Sequence, residues 1–292
     1  MYIKLFTFFL FFVTKIALGQ SYIERFNVLL KENDSIQITN LLKEWEINAP
    51  QDPEYYISAF NFYYSYCKQE EIYVKNQYEI SNHIPQNDTI KIHYFCNNID
   101  YFQLAINTIE KGIELFPNRL DFRFGKCYAF KEFELYKALT EELVKTINYS
   151  AINKNSWYWF ENEMVDSSEN FLLEAIQSYL VKLYSSDDEG LLNNMKLIGE
   201  TAIKYYPNNI PIISSTAVAY MNSKDYEKSI SYLKIAETLN PEDLIVINNL
   251  AHGYKLKGDK PNALKYYMIS EFLSDEKSKI SVQEEIQKLI NE

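Results

Sequence analysis

The sequence predicts an all-α fold, a solenoid of stacked antiparallel helix pairs. Three observations carry that expectation. Only seven of the 292 residues are glycine, against a usual share of ~7%. β sandwiches, phosphate loops and dinucleotide turns all need residues that tolerate positive φ, so this count argues against them. Seven of the prolines (Pro50, Pro53, Pro117, Pro207, Pro211, Pro241, Pro261) stand between apolar-periodic segments, where proline opens a helix or follows its end. Residues also recur at a fixed offset of 34: Pro207 and Pro241, Ala217 and Ala251, Tyr220 and Tyr254, Ser229 and Ala263. A period of this length in a helical chain means stacked helix pairs.

The chain opens with Lys4, an apolar run from Leu5 to Val13, and the small residues of Ala17-Leu18-Gly19 ahead of Gln20. This is the three-part layout of a secretory signal peptide over 1–19, and the apolar run is too short to span a bilayer. Export to a periplasmic or extracellular space is therefore expected, with no transmembrane segment in the mature chain. Cleavage would remove Lys4 and Lys15 and take the formal net charge from −11 to −13. Such an acidic chain is a poor fit to a phosphate backbone, so no nucleic-acid partner is expected.

The remaining 20–292 read as one domain. Loose repeats span 21–150, beginning with a helix that carries Ile38, Leu41, Leu42 and Trp45 on one face. A helix over 54–67 follows, with aromatic residues on every side. The stretch 69–98 interrupts the pattern with alternating runs (Glu71-Ile72-Tyr73-Val74 and Thr89-Ile90-Lys91-Ile92-His93-Tyr94) around turn-forming residues, and is expected to be a small β-hairpin. Helical periodicity resumes over 99–116 and continues through Phe124, Gly125 and Tyr128. The region 151–207 is an irregular repeat in which Trp157, Tyr158, Trp159 and Phe160 precede a helix starting near Ser168. Clear repeats occupy 208–275, and 276–291 reads as a polar-faced capping helix.

The 34-residue spacing and its small and aromatic slots resemble the tetratricopeptide repeat, whose pattern runs W-x2-L-G-x2-Y, A-x3-F, P. One repeat fills the slots with Thr216-Ala217, Tyr220, Ser229, Leu233 and Pro241. The next fills them with Leu250-Ala251, Tyr254, Ala263 and Tyr267, with Asp275 at the proline position. The resemblance implies a right-handed superhelix whose first helices line a concave groove, which is where partners bind in that family.

No catalytic motif, phosphate loop or calcium loop is present, and His83, His93 and His252 are too scattered for a metal cage. The acidic runs 161–163 and 187–189 read as solvated loop or helix-start charge. No cofactor is expected. Cys67, Cys96 and Cys127 lack metal-ligand spacing. Buried thiols are the bland account; a Cys67–Cys96 disulfide is the alternative, since an antiparallel pairing of helices 54–68 and 99–116 would bring the two to the same end. Forty-six aromatics serve a core more simply than a carbohydrate site.

The expected function is a non-catalytic protein-interaction scaffold or assembly subunit. A carbohydrate-binding or accessory subunit of an envelope enzyme or transport system is the alternative. Arg119, Arg123 and Lys126 form a basic stripe on one helix, suited to an acidic or C-terminal carboxylate of a peptide partner. Asn61 and Tyr64 would lie beside it, with a second patch at Asn248, His252 and Lys255. Ion pairing of the same arginines inside the fold is the competing account.

Overall fold

The computed structural model describes residues 22–75, 89–96, 98–186 and 188–291, with the two strands given as backbone. The expected signal peptide over 1–19 lies outside the described residues. The described chain divides into two compact units. The first runs up to Leu135 and includes Ser156–Val165; the second comprises Tyr136–Asn155 and the chain from Asp166 onward.

In the first unit a helix over 22–32 (α1) precedes α2 (Ser35–Asn48), α3 (Pro53–Cys67), α4 (Ile99–Leu115) and α5 (Leu120–Glu132). Asp34 opens α2 by accepting the Gln37 N–H at 3.0 Å, which satisfies one of the helix's orphan donors. The α2 face read from sequence is the buried one: Ile38, Leu41, Leu42 and Trp45. Trp45 is sealed among Tyr22, Phe26 and Tyr55, and its indole N–H donates to Asp52 at 2.9 Å. The aromatic helix α3 buries Tyr55, Tyr56, Phe60, Phe62 and Tyr64, leaving Tyr66 on the surface. The insertion is an antiparallel ribbon of β1 (Lys68–Lys75) and β2 (Thr89–Cys96), with Lys68 opposite Cys96 at its base. The chain therefore leaves α3 and enters α4 at the same end. Gly112 lets those two helices close up, since a Cβ there would stand 2.8 Å from that of Tyr56.

The second unit holds α6 (Tyr136–Ile152), α7 (Ser168–Tyr184), α8 (Leu192–Tyr205), α9 (Ile210–Asn222), α10 (Tyr226–Leu239), α11 (Leu244–Lys257), α12 (Lys260–Leu273) and α13 (Glu276–Asn291). Here the sequence period is a structural one. Helices α9 and α11 begin 34 residues apart, as do α10 and α12. Their N-caps repeat as Asn209 with Asp243 and Asp225 with Asp259. Each pair stacks one tyrosine of its first helix on one of its second: Tyr220 on Tyr232 at 5.8 Å, Tyr254 on Tyr266 at 5.5 Å. The small slots Ala217, Ala251, Ala263 and Ser229 are fully buried, so the helices approach closely. These are tetratricopeptide-like helix pairs around one continuous apolar core.

Candidate functional site

The basic stripe lies inside the first unit. Arg119 is 2% exposed. Its Nε and Nη2 donate to Asp121 at 2.8 and 2.7 Å, and its Nη1 donates to Glu54 at 2.7 Å. The guanidinium also sits over the Phe122 ring, 4.5 Å from its centroid. Burial works against the arginine's charge, but the hydrogen bonds it donates to Asp121 and Glu54 outweigh it and raise the pKa. Burial pushes the Glu54 carboxyl up, opposed by Arg119. Arg123 donates to the Pro117 carbonyl at 3.3 Å and lies over Trp157; Lys126 pairs with Glu110 at 2.8 Å. Both are buried.

The cover comes from 156–165. Tyr158 bridges to Arg119 on one side and Met164 on the other, and the Leu120 N–H donates to the Tyr158 carbonyl at 2.9 Å. Trp157 is driven fully under the surface, and the Glu161 N–H caps Glu54 at 3.0 Å. The groove placement of Arg119, Arg123 and Lys126 is thus replaced by an interior one, in which a segment far along the chain closes over the start of α5. Asn61 is exposed on α3, whereas Tyr64 is buried against Phe60, Tyr128 and Phe133.

The second patch splits. Asn248 accepts the Ser270 hydroxyl, turning toward α12, and Lys255 pairs with Glu285 of α13. Bonds from Lys255 and Lys288 hold the Glu285 carboxyl down at about 2. His252 stays at the surface. Partial desolvation and the Lys255 charge lower its pKa, opposed by Glu285.

Cys67 is disulfide-bonded, and Cys127 is buried and outside any disulfide. The side chain of Cys96 lies outside the described ones. Among the described residues, no three His, Cys, Asp or Glu side chains gather to hold a metal ion. No described helix is long and apolar enough to cross a membrane.

The structure also brings together residues that motif reading missed. A groove of about 270 Å³ runs across α7, α9 and α11 of the second unit. Each of these helices carries two rows. On α7 the core row is Leu172, Leu173, Ile176, Leu180 and Leu183, while Gln177, Val181 and Tyr184 form a separate row at helical spacing. On α11 the core row of Val246, Ile247, Leu250 and Ala251 is flanked by Ile245, Asn249 and His252. Pro211, Ser215 and Val218 hold the equivalent places on α9, 34 residues earlier. Val181, Tyr184 and Ile245 are 53%, 50% and 68% exposed. Gln177 exchanges hydrogen bonds with Ser215 at 2.8 and 3.2 Å, and Asn249 donates to Ser214 at 3.2 Å. A sequence signal existed: these are apolar and amide residues at helical spacing, on the sides of their helices that the core does not use.

No protein-family model matches the chain, and no curated protein matches it. Among solved structures, the chain is similar to YrrB, described as a TPR protein with an unusual peptide-binding site. That similarity covers 83% of this chain and 97% of YrrB, at 11% identity and a TM-score of 0.42. It is similar to MamA over 62% of this chain and 87% of that one, at 15% identity and a TM-score of 0.39. For PilW, a type IV pilus biogenesis factor, the shares are 94% and 86%, at 9% identity and a TM-score of 0.33.

Proposed function

We propose that this chain is an exported, non-catalytic interaction scaffold or assembly subunit that holds an uncharged, largely apolar peptide segment of a partner in the α7–α9–α11 groove. The observation that carries this reading is the groove's composition: exposed Val181, Tyr184 and Ile245 alternate with the side-chain amides of Gln177 and Asn249. Apolar anchors supply burial, and amides can bond the backbone of an extended or helical segment. Because Arg119, Arg123 and Lys126 are engaged inside the other unit, the partner need not be acidic. Export rests on the layout of residues 1–19.

The test is selection of a displayed random-peptide library on the full mature chain, followed by titration of the selected peptides. Val181→Asp combined with Ile245→Asp is expected to weaken binding at least tenfold, roughly 1.4 kcal/mol, with an unchanged melting curve. Selected peptides that bind the double variant equally well would remove the groove from consideration.

A further inference from the structure

We propose that the second unit carries another ligand site, a cleft for a neutral saccharide, where the C-terminal ends of α6 and α8 meet the N-terminal ends of α7 and α9. The cleft encloses about 630 Å³, more than twice the groove's volume. Its floor is already ordered. The Tyr206 hydroxyl lies 2.5 Å from Ser150 Oγ and donates to Asn155 at 2.8 Å, and the Asn155 amide donates in turn to Glu169 at 3.0 Å. The Tyr205 hydroxyl is tied to Asn148 at 2.9 Å, which fixes the ring that lines one wall.

The rim is the opposite. Among the described residues, nothing pairs with the side chains of Lys154, Asn170 and Asn208, all of which line the cleft. Asn209 spends only its side-chain oxygen, on the Ile212 N–H, and keeps its amide hydrogens. The site is therefore a rigid polar floor under a ring of unspent donors and acceptors, the arrangement that preorganised recognition requires.

The chemistry of those groups selects the ligand. Among the described residues, Lys154 and Glu169 are the only charges lining the cleft, and they are opposite in sign. An anion would need more positive charge, and a divalent cation more carboxylates. Carboxamides offer a donor and an acceptor in one plane, which matches vicinal hydroxyls that both give and accept hydrogen bonds. A tyrosine face offers apolar surface to the C–H side of a pyranose. This assignment is independent of the groove: the two sites share no lining residue.

Isothermal titration of the full mature chain with glucose, galactose, mannose and N-acetylglucosamine, and with their tetrasaccharides, tests it. Saturable binding of at least one is expected. Asn170→Ala with Asn208→Ala should weaken that binding at least tenfold, while leaving the melting curve and peptide binding unchanged. The groove variant Val181→Asp with Ile245→Asp should bind the sugar normally. The site is overturned if none of the sugars binds, if binding survives the asparagine substitutions, or if the groove variant loses it as well.

Discussion

At Arg119, three charges are taken out of water together, and each depends on the others. Glu54 and Asp121 converge on one guanidinium, so removing the arginine would leave two buried carboxylates facing each other. Arg119→Met is expected to destabilise the first unit by about 3–5 kcal/mol, the usual consequence of breaking a buried pair from one side. Arg119→Lys should recover little, because an ammonium cannot reproduce the two-pronged contact with Asp121. Urea midpoints for the two variants would show this; a Lys variant as stable as the parent would mean that charge alone matters. The stripe itself was legible in sequence, since Arg119, Arg123 and Lys126 are spaced to share a helix side. Its interior ion pairing was the competing account there; what the sequence did not show is the cover, which is donated by Trp157 and Tyr158, and nothing within α5 announces them. Only the aromatic density of 157–160 marked that stretch as something other than a solvated loop.

The elements of the second unit were readable because the same short-range chemistry recurs at each repeat. The turn after α11 places Gly258 at φ 82°, with the Gly258 N–H bonded to the Lys255 carbonyl and the Asp259 N–H to that of Tyr254. The turn after α9 repeats both bonds 34 residues earlier: Lys224 to Met221 and Asp225 to Tyr220. There the left-handed position is held by Lys224, at φ 65°. A side chain in that conformation costs about 1–2 kcal/mol, while glycine costs roughly 0.4–1 kcal/mol through the freedom it adds to the unfolded chain. Lys224→Gly should therefore stabilise the protein by about 0.5–1 kcal/mol, seen as a higher urea midpoint with an unchanged slope. A loss of stability would mean that the Lys224 side chain has packing value its exposure does not indicate. The groove row was harder to read than the turns. Val181, Tyr184 and Ile245 obey the same helical spacing as the core, and an apolar residue in sequence does not declare whether a neighbour covers it.

At the scale of the whole molecule, helical periodicity resumes after the interruption at 69–98 and after the irregular stretch that follows 150, and so reads as one domain, whereas the contacts group into two units. The division is invisible to a local pattern because it depends on 156–165 packing beside α5, a helix remote from it in sequence order. The placement of tryptophan makes the division testable. All three, Trp45, Trp157 and Trp159, belong to the first unit, and the second has none. Indole fluorescence therefore follows one unit, while far-ultraviolet circular dichroism follows the helices of both. Ala251 is fully buried between α11 and its neighbours, and Ala251→Phe should overpack that core by about 1–3 kcal/mol. The expected outcome is a dichroism melt that moves to lower temperature with a fluorescence melt that stays in place. Arg119→Met should lower the fluorescence midpoint. Non-coincident probes of this kind mean that unfolding is not a single all-or-none step. If either substitution instead shifted both probes together by the same amount, the two units would be one cooperative block, and the single solenoid domain expected from the sequence would be the better description.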